Sequence, residues 1–335
     1  MKNQIIKNII LFITLSILIF ISNLNAGNSV FNTVIDAPAL AVGNALTGAR
    51  FSQDAGLTNP ARRNQFKPGT FLFSSESRFS GTLSRQLFTY QSISYPVNII
   101  FIHEGATKIP DTRFALNDWN GDGMLNPNER LNTNQISFFN QHRFGLLFQN
   151  GVEWNDWMIG MGFQSHFTSI LDENGYGFTV NGGIFREWNS SISVGMEVKN
   201  ITILPMKWSS GIKEFMKPEI FIGGSMTPIF RNSWSEINLF FDCGLQIDER
   251  TLDDDFHVHG HGGIVRYGFE LNADEIFALR IGRSGKGRLS TGFSMTSGKN
   301  TLNYTLSSKQ GWGENSNGHV FTFLIDVETM KKWFQ

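Results

Sequence analysis

The sequence is poor in cysteine and proline, with a single Cys243 and nine prolines among 335 residues. One cysteine cannot form an internal disulfide, so a disulfide-stabilised scaffold is excluded. Long apolar runs are also scarce. The main one, from Ile9 to Ile21, is shorter than the ~20 residues that a membrane-spanning helix needs. We therefore do not expect a bundle of membrane-spanning helices.

The N-terminus has the order of features typical of a secretory signal peptide. Lys2 and Lys7 precede the apolar run, and a polar stretch ending at Ala26 follows it. We expect cleavage near Ala26, with residues 1–26 as the signal peptide and no cysteine there to carry a lipid. The whole chain has 28 Lys and Arg against 29 Asp and Glu, a balance that does not indicate nucleic acid as a partner.

Apolar and polar residues alternate over much of the chain, as they do in a strand with one apolar face. Between Trp157 and Phe167 the odd positions are mostly apolar, whereas the even positions include Gly160, Gln164 and His166. A barrel wall between lipid and a lumen requires this alternation. We expect strands near 70–79, 83–95, 97–104, 134–149, 152–167, 175–189, 190–200, 217–228, 235–248, 259–271, 275–283, 287–297, 300–308 and 318–326. The sequence thus predicts an all-β fold, a transmembrane antiparallel barrel of about fourteen strands over residues 70–326, with a short periplasmic tail at 327–335.

The expected connections also alternate in length. Long connections are predicted at 105–133, 169–174, 201–216 and 249–258, with turns between them such as Asn150-Gly151 and Ala273-Asp274. Long extracellular loops and short periplasmic turns alternate in outer-membrane barrels. We therefore expect a location in the outer membrane of a Gram-negative bacterium, in contact with outer-membrane lipid.

Residues 27–69 precede the first strand, lack alternation and are rich in small side chains. We expect a short helix starting at Pro38 and a segment that plugs the barrel from inside. Six charged residues fall on the polar positions of the strand pattern and are predicted to line the lumen: Asp156, Glu236, Asp242, Arg266, Glu270 and Arg280. They either pair with each other and with the plug or shape a path for a substrate.

Two stretches within residues 27–69 carry a family resemblance. Residues 41–49 read AVGNALTGA and residues 54–61 read DAGLTNPA. Together they resemble the N-terminal signature of the PorV/PorQ family, part of the broader group of FadL-like barrels. The order of motifs in residues 268–326 is similar to that of the last strands of the same family. The resemblance implies a fourteen-stranded barrel with an N-terminal hatch whose motif is Asn59, Pro60 and Ala61. Arg62 and Arg63 follow the motif where the family usually has Gly and Leu.

The resemblance implies two functions. PorV-like members belong to the type IX secretion system, in which they receive secreted cargo proteins from the translocon and pass them on for surface attachment. FadL-like members carry hydrophobic small molecules inward through a lumen controlled by the hatch. A passive porin-like wall protein is the third alternative. We expect no enzyme, because no Gly-x-Ser-x-Gly elbow occurs and no Ser, His and Asp set is evident.

Residues 118–129, DWNGDGMLNPNE, match a twelve-residue calcium-binding loop. Such a loop places oxygen ligands at positions 1, 3, 5, 7 and 12, often with a ligand or water at position 9, and a Gly at position 6. The predicted Ca²⁺ ligands are Asp118, Asn120, Asp122, the Met124 carbonyl, Asn126 directly or through water, and Glu129. We expect the ion to have a structural role, because helices do not flank the loop.

Overall fold

The structure, a computed structural model, describes residues 26–27, 29–32, 35–65, 67–93, 97–228, 235–247, 254–285, 288–309 and 317–329. The predicted signal peptide up to residue 25 and the end of the predicted tail lie outside these residues. Among the described residues, no helix has the length and apolar character needed to cross a membrane.

In the part of the chain that the structure describes, fourteen long strands form a closed antiparallel barrel, which confirms the predicted fold. Strand β14 pairs with β1 and closes the ring. In chain order the strands are β1 Thr70–Arg78, β2 Leu83–Gln91, β3 Val97–Asp111, β4 Ser137–Trp154, β5 Trp157–Ile170, β6 Glu173–Glu187, β7 Ile192–Trp208, β8 Glu219–Met226, β9 Ser235–Gln246, β10 His261–Ala273, β11 Phe277–Ser284, β12 Arg288–Ser297, β13 Asn300–Lys309 and β14 Gly318–Asp326.

Shorter elements accompany these strands. Helix α1, Ala37–Ala41, begins after Asp36, whose side chain accepts a hydrogen bond from the Ala39 N–H and caps the helix. Pro38 lies in its first turn, where the backbone N–H would have no hydrogen-bond acceptor within the helix. Short 3₁₀ helices occur at Val30–Asn32, Pro60–Gln65, Phe79–Gly81 and Thr133–Gln135, and short strands at Ala26–Gly27, Lys213–Met216 and Phe256–Val258.

The alternating apolar and polar residues of each strand lie on the outer and inner faces of the barrel wall. In β5 the side chains of Met161, Phe163 and Phe167 are exposed on the outer face, whereas Gln164 and His166 are buried on the inner face. A row of outward aromatic rings crosses five neighbouring strands through Phe71, Phe88, Phe101, Phe144 and Phe167, with ring centroids 6.0–6.3 Å apart. Cross-strand aromatic pairs of this kind stabilise a sheet.

Several predicted boundaries are wrong. Asn150 and Gly151 do not form a turn, because they pair with Met161 and Gly160, and the turn lies instead at residues 155–156. The predicted long connection at 169–174 is only residues 171–172, since the paired strands extend to Ile170 and from Glu173. Strand β7 extends to Trp208 and so includes half of the connection predicted at 201–216.

Candidate functional site

The N-terminal segment, defined here as the described residues 29–32 and 35–65, packs against the inward face of the wall. The Ala37 N–H donates to Thr322 Oγ1 on β14 at 2.8 Å, and the Ala37 carbonyl accepts from Thr305 Oγ1 on β13 at 2.6 Å. On other strands, Thr47 Oγ1 donates to Asp242 Oδ2 at 2.8 Å and the Asn59 N–H donates to Glu197 Oε2 at 2.6 Å. The segment is therefore fixed to widely separated strands of the ring.

Glycines on the inner face make room for this segment. A side chain on Gly48 would collide with the backbones of Gly195 on β7 and Gly223 on β8, so three glycines meet at one point. Other inner-face glycines also lie against the segment: Gly145, Gly160, Gly183, Gly268, Gly282 and Gly292. The abundance of glycine in the wall thus has a packing cause that sequence patterning alone did not identify.

The predicted hatch motif lies in this contact zone. The Asn59 side-chain amide donates to the carbonyls of Thr47 at 2.6 Å and Ile184 at 2.9 Å, while its oxygen accepts from the Ala61 N–H at 3.0 Å. Pro60 begins the 3₁₀ helix Pro60–Gln65. Asn59 therefore connects two parts of the segment to each other and to strand β6.

Arg62 is fully buried and holds the segment together from within. Its Nη2 lies 3.2 Å from Asp54 Oδ1, and neither side chain is more than 1% exposed. Its guanidinium also donates to the carbonyls of Ala49 at 2.8 Å and Phe51 at 2.7 Å and to Thr58 Oγ1 at 2.6 Å. Arg62 is thus a central internal contact of the segment.

Asp36 adds a buried carboxyl close to this pair. Besides capping α1 at 2.8 Å, it accepts a hydrogen bond from the Ala55 N–H at 3.3 Å. Burial, followed by repulsion from Asp54, raises the pKa of Asp36 to about 7. The carboxyl is therefore poised to titrate near neutral pH.

Four of the six predicted lumen residues point inward and are buried: Asp242, Arg266, Glu270 and Arg280. Arg280 Nε lies 2.6 Å from Glu270 Oε2, and its Nη2 donates to Gln53 of the segment at 2.7 Å. The Arg266 guanidinium stacks 3.8 Å from the centre of the Phe221 ring. The contacts of Glu270 and Arg280 match the alternative in which these charges pair with each other and with the segment.

Glu236 lies on the same face of β9 as Asn238 and Asp242, but it is exposed near the end of the strand, where its Oε1 accepts from the Asn238 side-chain amide at 3.0 Å. Asp156 is 79% exposed in the turn between β4 and β5, where it pairs with Arg186 at 3.0 Å. The prediction that Asp156 lines the lumen is wrong. The strand predicted at 152–167 included residues 155–156, which form the turn between β4 and β5.

Sequence patterning missed a series of inward charges that crosses four strands. Arg85 on β2 bridges Glu76 on β1 at 2.9 Å and Glu104 on β3 at 2.6 Å, and Glu104 also pairs with Arg143 on β4 at 3.0 Å. All four occupy inward positions of their strands. Extending the alternation into the first four strands would have identified them.

A cavity of about 350 Å³ opens beside the N-terminal segment. It lies at the barrel end where β6 connects to β7 and β8 to β9, since Ser190, Thr227 and Asn272 at its rim are all at strand ends of that side. The rest of its lining is largely polar or charged and comprises Arg50, Phe51, Ser52, Gln53, Glu236, Asn238 and Glu270.

The predicted calcium loop lies at the opposite end, between β3 and β4. The Asp118, Asp122 and Glu129 carboxylates each offer an oxygen within 4.8 Å of the others. Hydrogen bonds from the Asn126 side chain and then from the Met124 N–H hold the pKa of Asp122 below its usual range. The loop therefore brings three of the six predicted ligands together.

Comparisons with known proteins identify the fold alone. No protein-family model matches the chain, and no curated protein does either. Two crystal structures of the Pseudomonas putida toluene transporter TodX are similar to it. One is 9% identical with a TM-score of 0.51 and covers 91% of this chain and 99% of that chain. The other is 8% identical with a TM-score of 0.52 and covers 90% of this chain and 98% of that chain.

Proposed function

We propose that this chain lies in the outer membrane of a Gram-negative bacterium, that its N-terminal segment plugs the barrel, and that it serves protein secretion. The closed antiparallel ring, with apolar side chains outward, suits a bilayer because it leaves no unpaired strand edge in lipid. TodX, with the same fold, supports this location.

The observation that carries the proposal is the way the N-terminal segment is fixed. Its Ala37 hydrogen-bonds to inward side chains of β13 and β14, and its Thr47 and Asn59 hydrogen-bond to inward side chains of β9 and β7. The glycines at 48, 195 and 223 bring the backbone of the segment against the backbones of two strands. A segment held in this way supports a plug, and a plugged barrel suits a docking protein better than a general diffusion pore.

The assignment to secretion rests on the PorV/PorQ resemblance of residues 41–61. The same residues supply Thr47, Gly48 and Asn59, whose contacts with the wall are described above. We infer that the barrel, plugged by this segment, receives cargo proteins from a type IX translocon.

Transport of hydrophobic small molecules is the second candidate, and the fold shared with the toluene transporter TodX favours it. The polar lining of the 350 Å³ cavity argues against it, because sites for apolar ligands are lined mostly by apolar and aromatic side chains.

The decisive experiment deletes the gene in its own organism and measures two quantities in parallel. One is the distribution of type IX cargo between the periplasm and the cell surface. The other is the uptake of a radiolabelled fatty acid and of toluene. We expect cargo to accumulate in the periplasm while uptake is unchanged, and the wild-type gene to restore surface display.

The other outcomes separate the alternatives. Normal surface display with reduced uptake would overturn the secretion assignment in favour of a hydrophobic-compound transporter. Normal display together with normal uptake would overturn both and leave a passive wall protein.

A further inference from the structure

The loop between β3 and β4 has a stem that fixes the two ends of residues 118–129. Leu116 and Leu131 form an antiparallel bridge. Next to it, the Asn117 N–H donates to the Arg130 carbonyl at 3.1 Å, and the Asn132 N–H donates to the Ala115 carbonyl at 2.7 Å. The first and last residues of the acidic stretch are therefore held close together.

The stem gathers three carboxylates. Asp118, Asp122 and Glu129 offer oxygens within 4.8 Å of each other, a cluster of oxygen ligands that suits a hard divalent cation. Between them the chain turns sharply at Gly123, which adopts a positive φ of 72°. A residue with a side chain adopts such a φ with difficulty.

Glu129 gives a second, independent indication of a cation. The residue is only 7% exposed. Its Oε2 accepts a hydrogen bond from the Asn126 N–H at 2.9 Å, whereas its Oε1 is buried with no hydrogen-bond partner among the described residues. A buried carboxylate oxygen without a donor is unfavourable. A bound cation would satisfy it.

We propose that residues 118–129 bind one Ca²⁺ ion. The ligands are carboxylate oxygens of Asp118 and Asp122, the Asn120 side-chain oxygen, the Met124 carbonyl and both oxygens of Glu129, with Asn126 completing the shell directly or through water. Six or seven oxygens without nitrogen or sulfur suit Ca²⁺, whereas Mg²⁺ demands a tighter octahedron and Zn²⁺ prefers nitrogen and sulfur.

Binding requires two local rearrangements. The amide nitrogens of Asn120 and Asn126 both donate to Asp122 Oδ2, at 3.1 Å and 2.9 Å. For its side-chain oxygen to contact the ion directly, each amide must turn so that the oxygen faces the cation. The stem and Gly123 can stay as they are, so Ca²⁺ orders the loop without moving the barrel.

The test uses the full-length protein in detergent with Tb³⁺ as a luminescent probe. Trp119 lies within the loop, so its excitation sensitises a Tb³⁺ ion bound there. We expect saturable luminescence that Ca²⁺ displaces with a Kd on the order of 10⁻⁴ to 10⁻³ M, which is usual for extracellular modules. Mg²⁺ should displace it far more weakly.

Two variants and one matched control assign the site. Glu129→Gln and Asp118→Asn should each weaken Ca²⁺ binding at least tenfold. Asp172→Asn removes an exposed carboxylate from the turn between β5 and β6 at the same end of the barrel, and should leave binding unchanged. Resistance of the folded barrel to SDS at room temperature verifies folding of each variant.

Absence of Ca²⁺ competition well above this range would overturn the proposal, as would equal weakening by Asp172→Asn. Retained affinity in a folded Glu129→Gln variant would do the same. None of these outcomes depends on whether the protein serves secretion.

Discussion

At the scale of single residues, Arg62 is the contact on which the N-terminal segment most depends. It is fully buried, pairs with Asp54 and reaches three further acceptors. Arg62→Met would leave Asp54 buried without its partner. Loss of one member of a buried ion pair destabilises by about 3–5 kcal/mol, so we expect local opening of residues 49–62 to become easier by that amount, as measured by amide hydrogen exchange.

A matched control is available in Arg50. It pairs with Glu187 at 3.3 Å, but both side chains are more than a third exposed, and exposed pairs contribute about 0–1 kcal/mol. Arg50→Met should therefore have little effect on the amide hydrogen exchange of residues 49–62. Equal protection in the two variants would contradict the central role of Arg62.

The raised pKa of Asp36 predicts that the stability of the protein depends on pH. Its pKa is raised from 3.8 to about 7 by burial and by the charge of Asp54, opposed by the two backbone N–H groups and by Arg62. Between these two pH values the folded state keeps the proton and the unfolded state has lost it. Stability from this group therefore falls as pH rises from about 4 to about 7 and is constant above that.

Thermal unfolding of the wild type and of Asp36→Asn, followed between pH 4 and 8, tests this dependence. The wild type should lose stability relative to Asp36→Asn as pH rises from about 4 to about 7. A difference that is independent of pH would show that Asp36 keeps an ordinary pKa.

At the scale of elements, alternation predicted the existence of the strands well and their ends poorly. Each strand separates lipid from interior, so its period of two is imposed along its whole length. Turn propensity is a weaker signal, because Asn150 and Gly151 remain in register with Met161 and Gly160 when both neighbours are paired. The placement of Asp156 failed for the same reason.

The N-terminal segment shows a different limit of sequence reasoning. Its small residues and the short helix at Pro38 were predictable, since both have local causes. The partners of Thr47 and Asn59 were not, because Asp242 and Glu197 come from strands distant in the chain. Arg62 was the least predictable, since an isolated arginine gives no sign in the sequence that it is buried.

At the scale of the whole molecule, the wall and the N-terminal segment are separable parts. The ladder of fourteen strands closes on itself without the segment, because β7 pairs directly with β8 and β14 with β1. The segment is attached through side-chain hydrogen bonds and close glycine contacts. A change that dislodges the segment should therefore leave a folded barrel with an open lumen.

Gly48→Val is such a change. The added side chain would meet the backbones of Gly195 and Gly223, which cannot move without breaking the ladder. We expect the variant to insert into planar bilayers as a folded barrel and to conduct ions, whereas the wild type conducts little. Gly182→Val is the control, because a Cβ on Gly182 has open space around it, and it should behave like the wild type. Equal conductance of the wild type and the Gly48 variant would mean that the segment does not close the barrel, since a plug held by these contacts cannot tolerate a valine at that point.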